Sequence, residues 1–197
     1  IIDMKITIIG GGNLGVAIAE GLLKSKFCKA TELTVTRRNT AILKDIAAKG
    51  VTITDNNLEA VKRADIIILA VKPFQAAEVI KGFKAALNAK QVFVSVITGV
   101  SISEIKEMMG KSLPVFRAMP NTAIAIQQSM TCISFSNAST QQARLVGQLF
   151  ETLGKVAVID EKLMDAATVL GACGTAYAMR YIRANIQGGI EIGFDAK

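Results

Sequence analysis

The sequence predicts an α/β protein: a doubly wound sheet followed by an all-helical C-terminal segment. Three observations predict it. Strand-sized apolar runs alternate with helical segments from Lys5 to Ile159. The first run leads straight into glycines spaced G-x-G-x-x-G at Gly10, Gly12 and Gly15. From Asp160 the strands stop and apolar residues recur at helical spacing. The expected division is residues 1–159 for the sheet domain and 160–197 for the start of the helical one.

In chain order, Lys5-Ile6-Thr7-Ile8-Ile9 is the first strand, and a helix opens after the glycines through Val16, Ala17, Ile18, Ala19, Leu22 and Leu23. Each glycine has a physical task in that setting. Gly10 allows the turn off the strand, Gly12 leaves the backbone open to a pyrophosphate, and Gly15 lets the helix lie close to the sheet. The helix N-terminus then offers unpaired N–H groups and partial positive charge to phosphate. Strand before and helix after make this a Rossmann-type dinucleotide site rather than a structural turn alone.

Glu32 to Thr36 is the second strand, ending in Arg37-Arg38-Asn39. An acidic residue at that place suits the 2′-hydroxyl of NAD, and an arginine suits a 2′-phosphate, so the expected cofactor is NADPH rather than NADH. Thr40–Lys49 is a short helix stopped by Gly50, Val51–Thr54 a third strand, and Asn57–Arg63 a helix capped by Asn56 or Asn57. Ala64 to Val71 is a fourth strand with no alternation, so both of its faces are expected to be buried; it ends at Lys72-Pro73. Gln75–Leu87 is helical, Gln91–Ile97 a strand, Ser103–Met109 a helix capped by Ser101 or Ser103, and Leu113–Met119 a sixth strand ending in Pro120-Asn121-Thr122. Met130–Ser134 and Val156–Ile159 are further strands, with helix Gln141–Leu153 between them and Gly154 as its stop. Ligands of such a sheet sit off the carboxyl ends of the strands, where Gly10–Gly15, Arg37–Asn39, Val71–Pro73 and Met119–Thr122 all fall. In the last segment Asp165–Leu170 and Thr175–Gln187 are expected as two helices joined by the small residues Gly171-Ala172-Cys173-Gly174. The second helix carries Ala176, Met179, Ile182 and Ile186 on one face and needs a partner to bury them.

Composition narrows the function. A hydrophobic content of 51% indicates a buried core rather than disorder. No apolar run is long enough for a membrane span, no signal peptide is expected, and Met4 after Ile1-Ile2-Asp3 is the expected natural start. The net charge of +7, without aromatic–basic interleaving, suits an anionic small molecule and not a nucleic acid. Cys28, Cys132 and Cys173 form no C-x-x-C and there is no histidine, so no metal site is expected, and the odd cysteine count suits a reducing cytoplasm. The absence of histidine also removes the triad and His–Asp relay chemistries. Cys173 is expected to pack rather than react, Met108, Met109, Met164 and Met179 to be core, and Asp160, Glu161 and Asp165 to be a solvated helix start.

Gly10-Gly11-Gly12-Asn13-Leu14-Gly15, Ala70-Val71-Lys72-Pro73, Arg117-Ala118-Met119-Pro120-Asn121-Thr122-Ala123, Gly174-Thr175-Ala176-Tyr177 and Gly188-Gly189-Ile190-Glu191-Ile192-Gly193 together resemble the pyrroline-5-carboxylate reductase family over essentially the whole chain. The resemblance implies reduction of the cyclic imine Δ1-pyrroline-5-carboxylate to L-proline with NADPH or NADH, the last step of proline synthesis. It implies that Gly12, Asn13 and Leu14 hold the pyrophosphate and that Arg37 and Arg38 lie near the adenosine phosphate. Asn57 is then at the ribose, Ala70, Val71, Lys72 and Pro73 lie against the cofactor, and Met119, Pro120, Asn121 and Thr122 face the nicotinamide and substrate. It further implies a homodimer or larger homo-oligomer through a C-terminal helical dimerisation domain. Two departures stand out: Thr175 replaces a proline where the family has a serine-rich loop, and the family's later Gly-Gly-Thr-Thr loop, which holds the substrate carboxylate, is absent, so the helical domain is expected to be truncated.

The chemistry agrees with a histidine-free site. A carbonyl reduction needs a positioned acid, whereas a cyclic imine is protonated before hydride arrives and becomes a neutral amine. Two other readings compete. In a 3-hydroxyacid dehydrogenase a lysine would be catalytic where this chain has Arg180 and Arg183, which cannot readily give up a proton. A non-catalytic NADP-binding regulatory protein would keep the sheet and the glycine turn without turnover.

Overall fold

The computed structural model describes residues 4–195; the expectations about Ile1-Ile2-Asp3, and about the last two residues, lie outside the described residues. Eight strands form one sheet: β1 (Ile6–Ile9), β2 (Leu33–Thr36), β3 (Thr52–Thr54), β4 (Ile66–Leu69), β5 (Val92–Ser95), β6 (Val115–Met119), β7 (Ser129–Ser136) and β8 (Gly154–Val158). Their order across the sheet is β3-β2-β1-β4-β5-β6-β7-β8. Every pairing is parallel except β6 with β7. The connecting helices are α1 (Asn13–Lys24), α2 (Lys44–Ala47), α3 (Asn57–Lys62), α4 (Ala76–Phe83), α5 (Ile102–Met109) and α6 (Thr140–Glu151).

The unalternating strands are buried on both faces, as their composition requires. Ile6, Ile8, Ile66, Ile68, Val92 and Val94 face α1 and α6 in one cluster with Ile18, Leu22, Val146 and Phe150. Their neighbours Ile9, Ile67, Leu69 and Phe93 face the other way, into α4 and α5, against Ile80, Phe83 and Ile105. The period of two along a strand thus supplies two cores from one apolar run.

Three elements show what the sequence alone misassigned or left open. The run Thr40–Lys49 is a 3₁₀ turn, Thr40–Leu43, followed by the short α2, and not one helix. Strand β7 runs antiparallel to β6, because Pro120 to Gln128 holds only a 3₁₀ turn and is too short for a parallel crossover. Gly154 opens β8 as well as ending the stretch after α6: it has φ +144°, and a Cβ there would strike the backbone of Ser129, its neighbour in β7.

The C-terminal segment is all-helical, as expected, but it is not two helices joined by a loop. α7 (Met164–Ala167) runs into a π-helical stretch, Thr168–Cys173, and on into α8 (Gly174–Glu191) without a break. The small residues Gly171 to Gly174 widen the helix instead of stopping it, and Thr175 in place of proline keeps the backbone N–H that continues it. Met109 and Met164 are buried, whereas Met179, expected in a core, is 61% exposed on α8, since none of the described residues packs on that face.

Candidate active site

The turn after β1 is held from both sides. Gly10 and Gly11 N–H both donate to Thr36 O, at 3.2 and 2.7 Å, which ties the turn to the end of β2. Gly10 has φ +108°, and a Cβ there would meet the carbonyl of Ala70 at the end of β4. A Cβ at Gly15 would strike the Gly10 carbonyl and the Ile8 side chain, so the helix can lie this close to β1 only with glycine at that position. At Gly12 the opposite holds: a Cβ would meet nothing within 4 Å. The open space lies in front of the N-terminus of α1, whose first N–H groups, on Asn13, Leu14 and Gly15, have no intrahelical acceptor. No side chain caps α1 and its first turn carries no acid, whereas Asn56, Ser101 and Ser139 cap α3, α5 and α6. A dianionic pyrophosphate is the chemistry this end can accept.

At the end of β2, Arg37 is half-buried and its Nη1 donates to Gly11 O at 2.5 Å; Arg38 is exposed. Asn57, the first residue of α3, accepts a 2.5 Å hydrogen bond from Thr36 Oγ1, so its side chain is fixed beside the same strand end. Val71, Lys72 and Pro73 follow β4; Lys72 and Pro73 are exposed, as is Phe74, by 83%. Met119 and Pro120 are buried at the end of β6, where Thr98 Oγ1 reaches Met119 Sδ at 3.9 Å. Asn121 caps the next turn, while the side chain of Thr122 lies outside the described residues. All the predicted segments therefore lie on one sheet edge. They are not in one pocket: β6 is three strands from β1 and four from β2, roughly 14 and 19 Å at the usual strand spacing. That is a ledge for an elongated ligand.

Sequence reasoning missed two features. Arg117 is 5% exposed in the middle of β6, with its Nη1 and Nη2 on Glu161 (3.4 Å) and Asp165 (3.1 Å). Glu161 also accepts from Ile102 N–H at 2.7 Å, at the start of α5. Glu161 and Asp165 are therefore not merely a solvated helix start: they anchor the helical segment to the sheet. The signal was available, because Arg117 is the one charge in an apolar strand, and a buried guanidinium requires acids. The second feature is that Asn121 Nδ2 donates to Gly171 O, 3.1 Å away, inside the π-helical stretch.

Burial, reinforced by Glu32, pushes the Cys28 thiol up to about 11, and burial raises Cys132 as well. All three cysteines are free. Among the described residues no group of three or more His, Cys, Asp and Glu could hold a metal, and no helix is long and apolar enough to cross a membrane.

Comparison with known proteins agrees with this geometry. Residues 5–99 match the family model described as NADP oxidoreductase coenzyme F420-dependent. Pyrroline-5-carboxylate reductase 1 of Dictyostelium discoideum is 37% identical over 99% of this chain, which spans 38% of that protein's length. Pyrroline-5-carboxylate reductase 2 of the same organism is 35% identical over 99% of this chain and 71% of its own. A solved structure of Plasmodium falciparum pyrroline carboxylate reductase with NADP bound superposes with a TM-score of 0.88 at 27% identity, over 98% of this chain and 72% of that one. The chain belongs to the pyrroline-5-carboxylate reductase family.

Proposed function

We propose that the protein reduces Δ1-pyrroline-5-carboxylate to L-proline with NADPH. The observation that carries this reading is the ledge itself: an uncapped glycine turn, two arginines, a Val-Lys-Pro segment with Lys72 and Pro73 exposed, and a buried Met-Pro wall follow one another along the carboxyl edge of one sheet.

The residues fit the cofactor. The space in front of Gly12 and the free N–H groups of Asn13, Leu14 and Gly15 suit the pyrophosphate. Arg37 and Arg38 suit the 2′-phosphate, with Arg37 also bracing the glycine turn, and Asn57, held beside the end of β2, would face the ribose. Ala70 to Pro73 form the floor between the two halves, and Met119, Pro120 and Asn121 form the wall at the nicotinamide end. When bound, NADPH supplies a hydride from C4 of its nicotinamide.

What the chain has to add is modest. The imine nitrogen takes its proton from solvent, so the absence of histidine from these 197 residues is no obstacle. The product is a neutral secondary amine, and no developing alkoxide needs an acid. Met119 and Pro120 are buried and would exclude water behind the reacting carbon, and the sheet edge would set its distance from the hydride donor.

The division at residues 159 and 160 follows the change from sheet to helix. We infer a homodimer or larger assembly through α8, on which Tyr177, Tyr181, Ile182, Ile186 and Ile190 are all exposed. A reducing cytoplasm suits the three free cysteines. The test is NADPH oxidation by the complete gene product with pyrroline-5-carboxylate, with proline measured directly. Proline formed in step with NADPH loss is expected; tight NADPH binding without turnover would favour a regulatory cofactor-binding protein.

A further inference from the structure

Asn121 stands where the end of β6 meets the π-helical stretch, and each polar group of the residue is committed. Its N–H donates to Ser129 Oγ (3.1 Å), its Oδ1 accepts from Ala123 N–H (3.1 Å), and its Nδ2 crosses fifty positions of sequence to Gly171 O (3.1 Å). Thr175 Oγ1 approaches the same carbonyl at 3.4 Å. Gly171 lies within Thr168–Cys173, where i→i+5 pairing encloses one residue more per hydrogen-bonded ring than an α-helix and widens the coil. One carbonyl of this stretch, Gly171 O, takes a donor from outside the helix, and that donor belongs to the residue that follows the Met-Pro wall. The side chains at this contact are small: Gly171, Ala172, Cys173 and Gly174 leave the helix backbone itself facing the turn.

We propose that Asn121 is a positioning residue. Through Gly171 O it sets how far the π-helical stretch stands from the end of β6, and so fixes the width of the slot in which the imine meets the hydride donor. This rests on the imine-reductase reading above. A cap alone would use only Oδ1; the Nδ2 donor is what distinguishes positioning from capping.

Asn121→Asp separates the two. It keeps the acceptor for Ala123 N–H, removes the donor, and sets a carboxylate against the Gly171 carbonyl. In the complete gene product kcat for imine reduction is expected to fall about 10- to 100-fold, since ångström-scale misplacement costs that much. The NADPH Kd should change much less than kcat, because the glycine turn and the arginines are untouched and only the wall at the nicotinamide end is altered. Amide hydrogen exchange over 168–175 should accelerate while that of β1 and α1 is unchanged. Thr175→Val, which removes the weaker second donor, should give the same pattern at about a few-fold. Unchanged exchange over 168–175 in Asn121→Asp overturns the proposal whatever the activity. So does a kcat equal to the parent's, or a parallel loss of kcat, NADPH binding and global stability, which is the signature of a cap. If the parent protein itself fails to reduce the imine, the functional reading falls, and the exchange comparison still decides whether Asn121 holds the π-helical stretch.

Discussion

Alanine at Gly12 and at Gly15 should separate binding from folding within one turn. At Gly15 the new methyl enters space filled by the Gly10 carbonyl and the Ile8 side chain. Overpacking of this kind costs roughly 1–3 kcal/mol, and for a chain of this size each kcal/mol moves Tm by about 2–4 °C. At Gly12 the methyl meets nothing, and φ is −83°, which alanine adopts freely. The loss of unfolded-chain entropy favours the variant by about 0.4–1 kcal/mol, and the poorer N-cap disfavours it by a similar amount, so Tm should hardly move. NADPH binding should nonetheless weaken roughly 10- to 100-fold, because the methyl stands where a phosphate oxygen would accept backbone N–H groups, each worth about 1.5–3 kcal/mol to an anion. Thermal melts and a fluorescence titration with NADPH read both quantities. Unchanged affinity in Gly12→Ala, or a Tm loss matching that of Gly15→Ala, would refute the placement of the pyrophosphate.

Arg38→Asp should weaken NADPH by at least about tenfold and NADH little, since Arg38 is exposed and braces nothing; equal losses in paired titrations would remove the 2′-phosphate role. Glu161→Gln combined with Asp165→Asn strands a buried guanidinium and should cost roughly 3 kcal/mol by urea denaturation, more than Arg117→Met, which removes the buried charge and leaves two solvent-reaching acids. Cys28 should resist thiol reagents at neutral pH. Its raised pKa means that the stability it contributes is whole below about pH 9 and declines as pH rises toward about 11, a slope that Cys28→Ala should lack.

Much of the fold was legible because it is written locally. β1, the glycine turn and α1 announce themselves by composition, and the unalternating Ile66–Leu69 run correctly implied two buried faces. That the candidate segments share one sheet edge was legible for the same reason: in a doubly wound sheet, chain order determines which ends lie together. What escaped depended on contacts far apart in sequence. The direction of β7 is set by the length of the β6–β7 connection, not by the residues of Met130–Ser134. Gly171 and Gly174 read as a break, but Asn121, fifty residues earlier, holds that segment as a π-helical stretch. The pairing of Glu161 and Asp165 with Arg117 escaped because Arg117 lies 44 and 48 positions away. Met179 looked like core because helical spacing marks an apolar face without saying which chain covers it.

If this sheet edge delivers hydride to the imine carbon of pyrroline-5-carboxylate, the hydrogen gained at C5 of the ring comes from the cofactor. The direct measurement is turnover with NADPH deuterated at nicotinamide C4, followed by mass spectrometry and NMR of the product. The account predicts L-proline carrying one deuterium at C5, from one face of the nicotinamide only. Proline without the label, or no proline while NADPH binds at the glycine turn, would contradict it.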